Sequence, residues 1–156
     1  ARDVYYHLGE KWGLKIFNNI AESEQTHTDA VKNLLDYYGL EDPVKDDTPG
    51  IFSSQEMAEL YKELTIKGES SLVDALIVGA IVEDLDIKDL NGLLSETEKQ
   101  NIVLVYKNLQ KGSRNHLRAF VKNIELKGSF YTPKYISKEM YDSIISTEHE
   151  RGIISE

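Results

Sequence analysis

The chain has 156 residues, of which 40% are hydrophobic and 29% are charged, and this composition fits a globular protein with a core of its own. Its net charge of −9 and the lack of a basic stripe argue against binding to nucleic acid or to an anionic membrane surface. With no cysteine, the sequence excludes disulfides, thiolate catalysis, cysteine-bound zinc and iron–sulfur clusters, and no apolar run reaches the roughly 18–20 residues of a membrane span.

The first part of the chain predicts two helices joined by a tight turn. Apolar residues recur at helical spacing over residues 1–11 and again from about residue 14 to Tyr38, with Gly13 at the turn between the two runs. Such a short turn favours an antiparallel hairpin. The next stretch, residues 40–50, is rich in proline and acidic residues and is predicted to be a loop.

A short helix is predicted within the connection between the second long helix and the next one. This connection is about 30 residues long and can span a helical bundle. Ser53 with Glu56 three residues later forms a capping pattern at the start of this helix, and Gly68 ends it.

Two more long helices follow. The first opens on a second capping pattern, Ser71 with Asp74, and runs to about Leu94. The other runs from about Gln100 to Lys127, where a glycine follows. After a break at "YTPKY", the segment "SKEMYDSIIST" predicts a short last helix.

These elements predict an all-α fold, a four-helix bundle of two antiparallel hairpins with one long crossover that contains a short helix, plus a short C-terminal helix. One domain is expected over residues 1–145, followed by a weakly ordered tail over residues 146–156. Because the chain begins inside a helical pattern, its natural N-terminus is expected to lie further upstream, so the sequence leaves the compartment open.

Three of the long helices interrupt their apolar stripe at mid-length with two polar residues spaced three apart. The pairs are Glu24 and His27, Glu83 and Asp86, and Ser113 and His116. A buried polar or charged group without compensation costs from about 1 to several kcal/mol, so these residues are expected to share one site. A cation bound by carboxylates and imidazoles would compensate all of them. A buried hydrogen-bonded network without metal is the alternative.

This arrangement resembles the ferritin-like superfamily, in which two helices each supply a Glu and two each supply Glu-x-x-His. The phrases "EQTHTDAV", "VEDLDIKDL" and "GSRNHLRAF", with "ARDVY" and "EKWG", also resemble an uncharacterised prokaryotic domain family placed among these proteins. The resemblance implies a di-metal site, with iron first and manganese or zinc as alternatives. Its metal ligands would be Glu24, His27, Glu83 and His116, with Asp86 as a further candidate.

The sequence departs from that pattern at two points. Ser113 stands where ferritin-like proteins have a Glu in the fourth helix. Asp3, a carboxylate of the first helix, is expected opposite the apolar face of that helix. A first-helix ligand would then lie three or four residues before Ala1, and its loss would weaken binding and leave the site empty or partly occupied. Arg114 is expected to form an ion pair that helps neutralise the acidic cluster. Tyr106 is a candidate for a hydrogen-bond donor or redox-active residue near the metals, with a core aromatic as the alternative.

Two functions remain from the sequence. The first is a non-haem di-iron protein with ferroxidase, peroxidase or related oxidoreductase activity, which would use O2 or peroxide; no catalytic residue is assigned. The second is a non-enzymatic helical interaction module with a buried Glu/His/Asp network and no metal. The sequence leaves a homodimer open.

Overall fold

The computed structural model describes residues 1–155, which form six helices and no strand, so the all-α prediction is confirmed for this part of the chain. The helices are α1 (Arg2–Trp12), α2 (Lys15–Tyr37), α3 (Gln55–Gly68), α4 (Leu72–Ser95), α5 (Gln100–Leu126) and α6 (Lys138–Ile145). The chain divides into two compact units, Ala1–Val78 and Gly79–Glu156, which are described separately. The predicted tail reaches Glu156, which lies outside the described residues. None of the helices within residues 1–155 is long and apolar enough to cross a membrane.

In the first unit, α1 and α2 form the predicted antiparallel hairpin. Gly13 ends α1 in the left-handed conformation, with φ at 64°, which a glycine adopts without strain. On the facing sides, Arg2 Nη1 donates to Gln25 Oε1 at 2.6 Å, and Gly9 lies against the side chain of Asn18. The paired positions run in opposite directions along the two helices, as a hairpin requires.

The crossover helix α3 packs against α1. Trp12 Nε1 donates to the carbonyl of Gly68 at 2.9 Å, and His7 Nε2 lies 2.7 Å from Glu69 Oε1. The cap of α3 differs by one residue from the prediction: the Ser54 hydroxyl, not that of Ser53, accepts the backbone N–H of Met57. Only Ser53 has a Glu three residues later, but the extended backbone at residue 54 makes Ser54 the cap.

Asp3 is buried, in contrast to its expected position opposite the apolar face. Its Oδ2 accepts the backbone N–H of Gly50 at 2.9 Å, while its Oδ1 accepts from Arg2 Nε at 2.8 Å. Arg2 also donates to both carboxylate oxygens of Asp47. The loop before α3 therefore covers this face of α1, and Asp3 and Arg2 fasten the loop to the helix.

The start of α4 agrees with the predicted capping pattern. The Ser71 hydroxyl accepts the backbone N–H of Asp74 at 3.0 Å, and the two side chains lie 2.6 Å apart. This satisfies one of the free N–H groups at the helix N-terminus.

In the second unit, α4 and α5 form the other predicted antiparallel pair. Three contacts show the antiparallel direction, because the residue number rises along α4 while it falls along α5. The contacts join Gly79 to Phe120, Glu83 to His116, and Asn91 to Gln110. The close approach at the first contact requires a glycine, since a Cβ at residue 79 would lie 2.5 Å from Cζ of Phe120.

The C-terminal part of this unit contains the predicted short helix and a docked tail. Helix α6 is capped by Ser137, whose hydroxyl accepts the backbone N–H of Met140. In the tail, Glu150 and Ile154 are hydrogen-bonded to side chains of α5.

Candidate metal centre

In the first unit, α2 supplies a buried carboxylate beside an imidazole. The side chain of Glu24 is 7% exposed, and its Oε2 lies 3.1 Å from Nδ1 of His27. The spacing of three residues places both side chains on one face of the helix. The predicted pair thus exists as a local contact, which holds the carboxylate of Glu24 in one orientation.

In the second unit, α4 and α5 supply a corresponding pair. The Glu83 side chain is fully buried, and its Oε1 lies 3.4 Å from Nδ1 of His116, of which 11% is exposed. Since the two residues come from different helices of an antiparallel pair, the packing of α4 on α5 fixes their separation.

The other predicted polar residues occupy different surroundings. Ser113 is buried, and its hydroxyl donates to the carbonyl of Leu109 at 3.3 Å, as serines inside helices often do. Asp86 is half-buried on α4, one turn beyond Glu83. The hydroxyl of Ser113 therefore has a partner within its own helix at the position where the ferritin-like pattern has a carboxylate.

Arg114 does not form the expected ion pair with the acidic cluster. Its guanidinium instead makes a bidentate pair with Glu150, with Nε 2.7 Å from Oε1 and Nη2 2.6 Å from Oε2. Successive helix positions point about 100° apart, so Arg114 lies on a different face of α5 from the buried Ser113.

Tyr106, a candidate for a position near the metals, lies in the same helix as His116. The two residues are ten positions apart in α5, which corresponds to about 15 Å along the helix axis. A tyrosine side chain cannot span that distance, and Tyr106 lies half-buried near the N-terminal end of α5.

A buried carboxylate beside Glu83 was not predicted. Asp84 is fully buried and accepts four hydrogen bonds, all from the segment that follows α5. The donors are the hydroxyl of Tyr131 and the backbone N–H groups of Lys134, Tyr135 and Ile136, at 2.6–3.1 Å. Burial, together with the bond to Asp84, raises the pKa of the Tyr131 hydroxyl far above its ordinary value.

The carboxylate of Asp84 differs from that of Glu83 in its availability as a metal ligand. With all its donors supplied by protein, Asp84 fastens the loop of residues 131–136 to α4 and is not available as a ligand. The sequence signal was ambiguous, because "VEDLDIKDL" contains four acidic residues in nine, and most acidic residues of a helix are solvated.

The chemistry open to Glu24, His27, Glu83 and His116 follows from their types and their burial. Carboxylates and imidazoles are the oxygen and nitrogen ligands that iron, manganese and zinc take in proteins. A buried carboxylate next to an imidazole is equally the composition of an internal polar network. Each unit therefore contributes one carboxylate–imidazole pair that suits either role.

Comparison with known proteins places the chain in a family. It is similar to the uncharacterized protein MJ0754 of Methanocaldococcus jannaschii, with 59% identity over 153 residues, which are 98% of this chain and 83% of the relative. It is also similar to the crystal structure of hypothetical protein MJ0754 from Methanococcus jannaschii DSM 2661, with a TM-score of 0.94 and 58% identity over 96% of this chain and 85% of that one. Residues 1–148 match the family described as an uncharacterized protein domain, DUF2202. The chain therefore belongs to the DUF2202 family, which confirms the expectation of an uncharacterised domain family.

Proposed function

We propose that this protein is a ferritin-like helical bundle that binds a redox-active transition metal, iron in the first place, through Glu24, Glu83 and His116. The observation that carries the proposal is the fully buried Glu83 carboxylate, 3.4 Å from the imidazole of His116. We propose that Glu24 adds a second carboxylate to this pair.

The cost of burial favours a cation over a purely structural network. Removing a carboxylate from water costs several kcal/mol, and a neutral imidazole offsets only part of this cost by hydrogen bonding. Glu24 is 6% exposed and Glu83 is 0% exposed, so the free-energy cost of burying a carboxylate applies to both residues. A divalent cation compensates both negative charges at once.

The donor set fits iron, manganese or zinc. All three ions accept carboxylate and imidazole ligands, and three protein ligands leave coordination positions for water or a substrate, which is typical of a catalytic site. His27, whose Nδ1 lies 3.1 Å from Glu24, would orient that carboxylate or serve as a fourth ligand.

The number of ions depends on residue 113. The resemblance implies two ions, but the Ser113 hydroxyl donates to the Leu109 carbonyl, so that position supplies no bridging carboxylate. Asp86, half-buried one turn beyond Glu83, is the candidate that would complete a second position. Without Asp86 as a ligand, the proposed set of Glu24, Glu83 and His116 supports one ion.

Bound iron would supply one-electron chemistry toward O2 or peroxide, as in an oxidoreductase. The protein's own groups would do three things. The two carboxylates would balance the charge of the cation, the neutral His116 would donate a nitrogen lone pair, and His27 would hold Glu24 in place.

Metal binding by the purified protein tests this proposal. The wild type, reconstituted separately with Fe2+, Mn2+ and Zn2+ under reducing conditions, is expected to retain one or two ions per chain by elemental analysis. Glu83→Gln and His116→Ala should each weaken binding about 10-fold or more. Glu98→Gln and His149→Ala, which change exposed residues of the same types, should bind as the wild type does.

Two results would reject the metal site. One is a wild type that retains none of the three ions, and the other is binding that is unchanged in both site variants. The interaction module with a buried network would then account for the same residues. Circular dichroism of each variant ensures that weak binding does not merely report unfolding.

A further inference from the structure

One face of α5 holds the backbone of the tail through two asparagines. Asn115 Nδ2 donates to the carbonyl of Glu150 at 3.0 Å, while its Oδ1 accepts the N–H of the same residue at 2.9 Å. Asn108 repeats the arrangement with Ile154, at 2.9 Å for both bonds. Each side-chain amide therefore satisfies both backbone groups of one residue, as a neighbouring strand would.

The distance between the two asparagines along α5 fits a tail segment that is extended apart from one bend. They are seven residues apart in α5, or about 10.5 Å along the axis, whereas four extended residues reach about 13 Å. Gly152, with φ at 74°, makes the bend between the two held residues, and its carbonyl accepts a hydrogen bond from Lys111 Nζ. The bend accounts for the shorter separation on the helix.

Three cations flank the asparagines, and two of them bind an acidic side chain. Arg114 binds both carboxylate oxygens of Glu150, and Arg118 Nη2 donates to its Oε1 at 3.0 Å. Lys111 completes the row. A row of three cations is complementary in charge to an acidic segment.

The tail is attached by polar contacts rather than by a buried apolar surface. The Ile153 side chain is 86% exposed, and Glu150 and Arg114 keep 32% and 22% of their side chains exposed. Exposed ion pairs contribute little net stability, and segments with few buried apolar contacts open at low free-energy cost. The attached tail can therefore exchange with another peptide.

We propose that this face of α5, formed by Asn108, Lys111, Arg114, Asn115 and Arg118, is a binding surface for an extended acidic peptide of a partner protein. The peptide carries a glutamate and, four residues later, an aliphatic residue, the pattern of Glu150 and Ile154. The asparagines read the backbone without regard to sequence, while the arginines select the glutamate. The chain's own tail occupies the surface and competes with the partner at a high effective concentration. This inference is independent of the proposed metal site.

Peptide binding to full-length variants tests the proposal. The probe is a fluorescein-labelled peptide of residues 147–155, followed by fluorescence anisotropy. Glu150→Lys should repel the tail from the arginines and bind the probe at least about 10-fold more tightly than the wild type, because cis competition is reduced. Glu148→Lys makes the same charge change at an exposed residue of the tail and should behave as the wild type.

Further variants identify the side chains that recognise the peptide. In the Glu150→Lys background, Asn115→Leu or Arg114→Ala should abolish binding, and so should a probe that carries Lys in place of its second Glu. Hydrogen exchange at the amides of residues 150 and 154 should be faster in Glu150→Lys than in the wild type.

Three outcomes would overturn the inference. They are a probe that does not bind to Glu150→Lys, binding that survives Asn115→Leu and Arg114→Ala, and unchanged exchange at residues 150 and 154. Concentration-dependent dimers of the wild type that form through the tail, without probe binding, would assign the surface to a second copy of the chain instead.

Discussion

The Nδ1 atom of His116 lies 3.4 Å from Oε1 of Glu83, across the antiparallel pair formed by α4 and α5. The carboxylate is fully buried, so this distance depends on helix packing and not on a flexible surface. The same two helices contribute the tight contact of Gly79 with Phe120 one turn away. Packing of this kind would hold the two proposed ligands in place before an ion binds.

Metal should stabilise the wild-type protein against heat. An ion at about 100 times its dissociation constant contributes about 2.7 kcal/mol, which raises the Tm of a domain of this size by about 5–10 °C. Differential scanning fluorimetry with Fe2+, Mn2+ and Zn2+ measures the shift. His116→Ala should lose it, while His149→Ala, at an exposed position, should keep it. An equal shift in both variants would mean that the metal binds elsewhere.

Asp84→Asn should destabilise the fold strongly. The carboxylate accepts four hydrogen bonds, and an amide would turn one acceptor oxygen into a donor that faces N–H groups. Each buried N–H group left without an acceptor costs about 1–3 kcal/mol, whereas Tyr131→Phe, which removes one of the four bonds, should cost about 1 kcal/mol. Urea denaturation gives both values.

The exposed Asp89 on the same helix is the matched control for Asp84. Its change to Asn should alter the unfolding free energy by no more than about 0.5 kcal/mol. A cost for Asp84→Asn that is no larger than that of Asp89→Asn would contradict the assigned role of Asp84 as the anchor of residues 131–136.

The helices themselves could be predicted from local signals. Apolar spacing, glycine stops and serine caps are read within a few residues, so the predicted boundaries lie within about two residues of those in the structure. The cap of α3 shows the limit of this reasoning, because the sequence pattern of Ser53 with Glu56 favours Ser53, whereas the backbone conformation makes Ser54 the cap.

Contacts between distant parts of the chain could not be predicted. The donors to Asp84 lie 47–52 residues further along, and Glu150 lies 36 residues beyond its partner Arg114. Asp3 is buried by a loop whose path no local pattern specifies. Helical spacing correctly indicated which residues share a face, but not which loop or tail covers the opposite one.

Gly79→Ala should separate α4 from α5. The added Cβ would lie 2.5 Å from Cζ of Phe120, a fully buried ring, so one helix must shift. Overpacking of this kind costs about 1–3 kcal/mol. In the same helix, Gly92 has no atom within 4 Å of a built Cβ, and Gly92→Ala should stabilise by about 0.5–1 kcal/mol through helix propensity. Chemical denaturation should therefore show a lower free energy of unfolding for Gly79→Ala and a higher one for Gly92→Ala. Changes of the same sign in both variants would refute the close packing at Gly79.

The contribution of Glu150 to stability should disappear in acid. Its hydrogen bonds to Arg114 lower its pKa from 4.5 to about 2, against the opposing effect of burial, and Arg118 adds to the shift. Since the folded pKa is depressed, the stabilisation is complete above pH 4.5 and is lost as the pH falls towards 2.

Glu150→Gln provides the measurement, because the amide has the shape of the protonated acid and no charge. At pH 7 this variant should be less stable than the wild type by about 1 kcal/mol, the upper range for a partly exposed ion pair. The difference should shrink between pH 4.5 and 2 and then vanish, as followed by urea denaturation at each pH. Glu148→Gln, at an exposed residue two positions earlier, should match the wild type at every pH. A Glu150→Gln difference that stayed constant down to pH 2 would mean that charge pairing with the arginines does not hold the tail on α5.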